Sequence, residues 1–300
     1  MRKVYTNDLL SIVIITCNRE KELKRAIDSC ITFADMNCEI IIVDNNSSDN
    51  TKEMLNKIIT PPHIKIRPFF MNSNLGVAGA RNYGFNMARS RVVFFLDDDA
   101  YFDDNSKELS YAYDYMLKNN GVFAIATEIY DLKEKCLLRD IGSRENPNNV
   151  FSFIGASHFI RKDYVTTKHL YPEKLFYGCE ELFACICAYN QGYYVEYNPH
   201  IKVIHNPSLL TRANEFEINL NILINKFVVK KLTLPRALLA ISMVMFYLRI
   251  VKLCKFCLRD YGEGYNLYKK RFKENRYATN RMGFNRTLQL IKSFGIYRLL

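Results

Sequence analysis

The 300-residue chain has no tryptophan, only eight prolines and twelve glycines, and neither an internal repeat nor a low-complexity tract. Repeat arrays and Pro/Gly-rich linkers are therefore excluded, and the aromatic content rests on 20 Tyr and 20 Phe. The nine cysteines are odd in number and follow no tight repeated spacing, which excludes a disulfide framework and points to the cytoplasm. Cys254 and Cys257 form a lone CxxC without the second pair that a zinc site needs. Long apolar runs are also missing. ALLAISMVMFYL (237–248) is twelve residues between Arg236 and Arg249, short of the roughly 20 needed to cross a bilayer. Near the N-terminus, Arg2 and Lys3 precede an apolar run only from Leu9 to Ile15, with no A-x-A site; it reads as a first strand and not as a signal peptide.

Acidic residues are scarce in one place. Residues 211–300 hold 5 Asp+Glu against 18 Lys+Arg, whereas residues 1–210 hold 26 against 24, so the net charge of +11 sits wholly in the last third. A near-neutral body and a tail attracted to an anionic surface are expected. The charge would also suit nucleic acid, but the interleaved aromatics match no RNA- or DNA-binding signature, so no nucleic-acid partner is expected.

What is present begins with a continuous β-branched run, SIVIIT (11–16), the pattern of a strand buried on both faces. A helix over about 20–33 follows, then EIIIVD (39–44), a helix opening at Ser47/Ser48, and a strand around IKIRPF (64–69). NLGVAGARNYGFNMARS (74–90) reads as a glycine-rich loop entering a helix, and VVFFL (92–96) as the fourth strand. This alternation predicts a mostly parallel α/β sheet with ligands at the carboxyl ends of the strands. Strand-like pieces recur at 121–130, 150–160, 193–197 and 201–205, with a helix over about 180–191.

FFLDDD (94–99) ends a greasy segment in three adjacent negative charges, which repel unless something positive lies against them. Hard cations prefer carboxylate oxygens and often bridge protein to diphosphate. On an extended chain Asp97 and Asp99 would share one side, leaving Asp98 a structural job. Asp44 closes the second strand, where a carboxylate can accept from a ribose or base. Arg81 is suited either to a diphosphate or to a salt bridge with the acidic cluster.

SIVIITCNR, IIVDNNSSDNT, NLGVAGARNYG and FFLDDDA, in this order and spacing, resemble the family 2 glycosyltransferases, which have the GT-A fold and use nucleotide sugars. Further on, FYGCEELFACICAYNQGYYVEYNP resembles the family's acidic pair, helix and glycine, and VIHNPS (203–208) the segment with its metal-site histidine. The resemblance implies a catalytic body over 1–210, with a nucleotide-sugar half to about 105 and an acceptor half over 106–210. It assigns Thr16, Asn18, Arg19 and Asp44 to the nucleotide pocket, with Arg81 beside it and Asp97 on the ribose. Asp99 and His205 would hold Mn²⁺ or Mg²⁺, the histidine favouring manganese. The base falls on Glu181, with Glu180 as the alternative, because this chain has Glu-Glu where Glu-Asp is usual.

An inverting, metal-dependent hexosyl- or deoxyhexosyltransferase is implied, drawing on UDP- or dTDP-sugar more than GDP-sugar. The helical, basic segment 211–300 resembles extensions of members that act on lipid-linked sugars. It implies peripheral contact with the anionic inner face of the cell membrane and a lipid-linked or cell-surface polysaccharide precursor as acceptor; the other reading of the tail, compatible with the first, is a helical subdomain packed on the catalytic body with basic solvent-facing sides. A sugar-phosphate nucleotidyltransferase would want a glycine-rich loop straight after the first strand, and TCNREKELKRA has no glycine. An inactive membrane-bound scaffold of the same fold is opposed by intact Asp97, Asp99, Glu181 and His205.

Overall fold

A computed structural model describes residues 8–140, 142–167, 169–175, 178–207, 215–255 and 258–299, without the side chains of 215, 258 and 259. What the sequence suggested for Arg2, Lys3, Phe176, Tyr177, Ser208 and Cys257 lies outside these residues. Strand β1 (Leu10–Thr16) leads through α1 (Glu20–Phe33) to β2 (Cys38–Asp44), α2 (Thr51–Leu55), β3 (Ile64–Phe70), α3 (Gly76–Met87) and β4 (Val92–Asp97). The second half brings β5 (Ala100–Phe102), α4 (Leu109–Lys118), β6 (Val122–Asp131), β7 (Cys136–Leu138), β8 (Asn149–Val150), β9 (Ser157–Arg161), α5 (Glu180–Gln191) and β10 (Tyr194–His205). Helices α6 (Glu215–Thr233), α7 (Arg236–Leu253), α8 (Leu258–Asn275), α9 (Phe284–Phe294) and α10 (Ile296–Leu299) follow.

One sheet runs in the order β3-β2-β1-β4-β9-β6-β10-β5, with β7 on β6 and β8 on β10. Strands β3, β2, β1 and β4 are mutually parallel, whereas β9 runs antiparallel to both β4 and β6. The β-branched runs explain the first half, since strands covered by helices on both faces have no polar face to show. Their side chains alternate between two cores. Val13, Ile41, Val43, Val93 and Phe95 face one side, while Ile12, Ile14, Ile40, Ile42 and Phe94 face the other. Helix α3 lies close to the sheet because Gly84 has no Cβ; one placed there would stand 2.5 Å from Val13 Cγ1.

Several local expectations change. The second helix starts at Thr51 instead of Ser47/Ser48, with Asn50 as its N-cap; just before the cap, Asp49 Oδ1 accepts from the Thr51 amide (3.1 Å) and hydroxyl (2.6 Å). The loop is confined to the residues before Gly76, whose left-handed backbone (φ 72°) opens α3, and Gly79 and Gly84 lie within the helix. The strand expected over 150–160 is two short strands, β8 and β9, with 151–156 irregular between them. The pieces 193–197 and 201–205 form one strand, β10, whose pairing with β6 shifts register between Asn198 and Lys202. The helices after 215 pack on the body, as Ile224, Phe227, Val228 and Phe246 join the same core as Phe183 and Ile186 of α5.

Candidate active site

In-register pairing sets the site. Thr16 stands opposite Asp44 and Ile15 opposite Asp97, so the carboxyl ends of β1, β2 and β4 finish at one level. The chain then turns. Asp98 and Asp99 lie in the turn between β4 and β5 and are not extended as the sequence suggested. The turn still brings Asp97 and Asp99 to one place, because β5 pairs antiparallel with the end of β10 and sets His205 opposite Ala100. One ligand atom each from Asp97, Asp99 and His205 lies within 4.8 Å of the others.

His205 is held from both sides. Its Nε2 lies 3.4 Å from Asp99 Oδ1 and its Nδ1 2.8 Å from Asp131 Oδ2. Burial would lower the imidazole, but the hydrogen bond and charge of Asp99, then Asp131, outweigh it and raise its pKa. Asp131 itself is buried, yet the Glu134 amide, His205 and the Lys133 amide keep its carboxyl below the usual range. The donor set fits a divalent cation: two carboxylates and an imidazole converge, and Asp131 fixes the tautomer that leaves Nε2 toward Asp99. Sequence reasoning missed Asp131; it is 74 residues from His205, and only the β6–β10 pairing joins them.

Asp98 and Asp99 find their counter-charge in Arg19. Its Nη1 donates to Asp98 Oδ1 (2.8 Å) and Asp99 Oδ2 (3.1 Å), and Thr16 Oγ1 donates to Asp98 Oδ2 (2.8 Å). Burial first, helped by the Asp99 charge, pushes the Asp98 carboxyl up to about 7. Asn18 adopts a left-handed backbone (φ 56°), its amide donates to Ser47 Oγ (2.8 Å) and its Oδ1 accepts from the Ser48 amide (2.7 Å). Asp44 Oδ1 accepts from the Ser47 amide (3.0 Å). Ser47 and Ser48 thus tie the ends of β1 and β2 together.

Arg81 joins the two halves. It is 3% exposed, and its guanidinium meets Asp97 (2.7 Å), Glu181 (3.0 Å), Glu180 (3.3 Å) and the Gly155 carbonyl (3.0 Å). Burial would discharge it, but Asp97, Glu181 and Glu180 hold its pKa well above the ordinary value. Glu180 is buried with Oε2 unpartnered among the described residues; burial and then the Glu181 charge push its carboxyl up. Glu181 reaches more solvent. Gly155 had no sequence signal, yet a Cβ there would collide with Glu181 Oε1 and crowd Arg81. His158 is packing: it stacks between Phe95 and Phe153, with Nε2 3.0 Å from the Tyr171 hydroxyl.

The family profile described as Glycosyl transferase family 2 matches residues 11–166. An uncharacterized glycosyltransferase of Haemophilus influenzae is 34% identical over 116 residues, 38% of this chain and 44% of that one. The Escherichia coli UDP-Glc:alpha-D-GlcNAc-diphosphoundecaprenol beta-1,3-glucosyltransferase WfaP is 35% identical over 95 residues, 32% of this chain and 37% of that one. The match therefore spans less than half the length of these relatives. A structure of GalNAc-T7 with UDP, GalNAc and Mn²⁺ superposes with a TM-score of 0.64 at 17% identity, covering 89% of this chain and 54% of the other. S. aureus TarS 1–349 in complex with UDP-GlcNAc gives 0.62 at 13% identity, covering 89% and 81%.

Proposed function

The chain belongs to glycosyl transferase family 2 and has the GT-A fold, and from that premise we propose an inverting, metal-dependent transfer from a nucleotide-diphosphate sugar to an acceptor hydroxyl. The convergence of Asp97, Asp99 and His205 within 4.8 Å carries this reading. Asp99 and His205 would hold Mn²⁺ or Mg²⁺, which supplies charge neutralisation at the diphosphate without proton transfer. Thr16, Asn18, Arg19 and Asp44 border the nucleotide, UDP or dTDP before GDP, with Asp97 at the ribose. GalNAc-T7 is seen with UDP and Mn²⁺, and TarS with UDP-GlcNAc.

Glu181 is the base. Arg81 Nη1 fixes its Oε1 and aims the carboxylate across the same guanidinium that orients Asp97. From there it takes the proton of the acceptor hydroxyl as the hydroxyl attacks the anomeric carbon from the face away from the diphosphate. Burial favours the protonated form of Glu180, which has no charge left to take up a proton, and the residue serves to hold Arg81. The acceptor is a lipid-linked or cell-surface polysaccharide precursor at the inner membrane face. Support comes from WfaP, whose name gives such an acceptor, and from an apolar face of α7. There Ile241, Val244 and Leu248 are 47%, 57% and 62% exposed, although no helix among the described residues is long and apolar enough to cross a membrane.

A thermal-shift panel of UDP-, dTDP- and GDP-sugars with and without Mn²⁺ tests the donor side. Asp99→Ala should abolish the Mn²⁺-dependent shift, and Glu181→Gln should keep it while losing transfer. Turnover near wild type in both variants would refute the site.

A further inference from the structure

Three cations gather where the mechanism above does not use them. Lys226 and Lys230 stand one turn apart on α6 and share a face. Lys230 Nζ lies 4.6 Å from the Phe227 ring centroid, and Arg249 of α7 reaches the same ring at 5.8 Å. Lys230 is 1% exposed, and its Nζ has no hydrogen-bond acceptor among the described residues. Burial first, then the charges of Lys226 and Arg249, push this ammonium down to about 7. An unanswered buried cation beside two others is unfavourable, and a methionine would fill the same space without the penalty. Asp140, whose charge reaches Lys226, is already paired with Arg298 (2.6 Å), so among the described residues the cluster keeps an excess of positive charge that would take a negative group.

Its position says where that negative group belongs. Asn225, on the same helix, donates to the carbonyls of Leu175 (2.7 Å) and Gly178 (3.0 Å), and Arg271 holds Asn225 Oδ1 at 2.7 Å. Helix α6 is thereby clamped to the segment that enters α5. Gly178 and Cys179 are both left-handed there, at φ 81° and 69°, immediately before Glu180 and Glu181. Burial raises the Cys179 thiol to about 12, the charges of Glu181 and Glu180 add to that, and those of Lys226 and Lys230 oppose it. The Cys179 thiol lies 3.6 Å from the Ile222 carbonyl, so α6 runs beside the residue that precedes Glu180 and Glu181.

We propose that Lys226, Lys230 and Arg249 form a subsite for a phosphate or diphosphate group carried by the acceptor, held while its hydroxyl faces Glu181. The proposal rests on the transferase reading above and adds the acceptor's chemistry to it. Ammonium and guanidinium donors suit phosphate oxygens. A bilayer headgroup offers the same chemistry, but Lys230 is too enclosed to lie at a membrane surface, which favours a phosphate carried by the acceptor.

The test titrates the full chain with inorganic pyrophosphate in EDTA and follows thermal unfolding. Wild type and Asp99→Ala should both be stabilised, whereas Lys230→Met and Arg249→Gln should weaken the apparent affinity by about tenfold or more. An equal shift in all four proteins, a shift lost only in Asp99→Ala, or no shift in wild type overturns the subsite. Flotation on phosphatidylcholine vesicles containing phosphatidylglycerol separates the sources: Lys230→Met should float as wild type does. Loss of flotation with an intact pyrophosphate shift would make the cluster a headgroup contact and end the acceptor assignment. A UDP plus Mn²⁺ shift on the same wild-type sample keeps a failed subsite distinct from a failed donor site.

Discussion

Replacing Lys230 by Met should stabilise the ligand-free protein at neutral pH and flatten part of its stability against pH. The folded ammonium sits at about 7 against an ordinary 10.5. Between those values the unfolded chain keeps the proton and the folded chain sheds it. The unfolded state then binds more protons, and wild-type stability rises by about 1.4 kcal/mol per pH unit. Above roughly pH 10.5 neither state is charged and the penalty vanishes, whereas below roughly pH 7 both are charged and the fold carries all of it, about 5 kcal/mol as an upper figure. Losing the contact with Phe227 offsets about 0.5–2 kcal/mol of this, which leaves a net gain for Met of about 2–4 kcal/mol at pH 7. Urea unfolding of both proteins at pH 7 and pH 9, followed by circular dichroism, reads the effect. The gap should shrink by about 2–3 kcal/mol across that interval, other titrations cancelling in the difference. A gap that does not change with pH, or a Met variant less stable than wild type at pH 7, would refute the reasoning.

Arg81→Met should cost about 3–5 kcal/mol in chemical denaturation, because it strands Asp97, Glu180 and Glu181 around an empty centre. A loss under 1 kcal/mol would mean that water already screens the cluster. Asp131→Asn should weaken Mn²⁺ affinity, measured by calorimetry, by about 10–100-fold through the orientation of His205; unchanged affinity would remove His205 from the metal site. Val244→Asp should reduce flotation on anionic vesicles with little change in melting temperature, since the side chain is 57% exposed. Equal flotation would discount α7 as the membrane face.

Much of the first hundred residues is legible because their signals are local. Runs such as SIVIIT and EIIIVD declare strands buried on both faces, and the polar residues after them mark the strand ends. Arg81 against the acidic cluster was one of two readings open to its position, and it does pair with Asp97. Other features depend on distant partners. Arg19 reaches across 79 and 80 residues to Asp98 and Asp99. Asp131 becomes a partner of His205 only through strand pairing, and Gly155 matters only because Glu181 and Arg81 crowd it. The capping error at Ser47/Ser48 has the same origin: those residues bond to Asn18, about 30 positions earlier, and the helix opens later, with Asn50 as its N-cap. Lys230 looked like one of many basic residues until the packing enclosed it.

The alternation of β1, β2 and β4 between two cores bears on how this chain can change in length. Deleting one residue within β1 would move Val13 to the face of Ile12 and Ile14 and swap every later side chain of the strand with it. The site would move too, because Thr16 and Ile15 are matched to Asp44 and Asp97 across the sheet. Insertions just past Thr16 or Asp44 leave both cores untouched, and each doubling of such a loop costs only about 0.6 kcal/mol in closure entropy. The loops at this edge of the sheet therefore tolerate added length, whereas the strands beneath keep a fixed count.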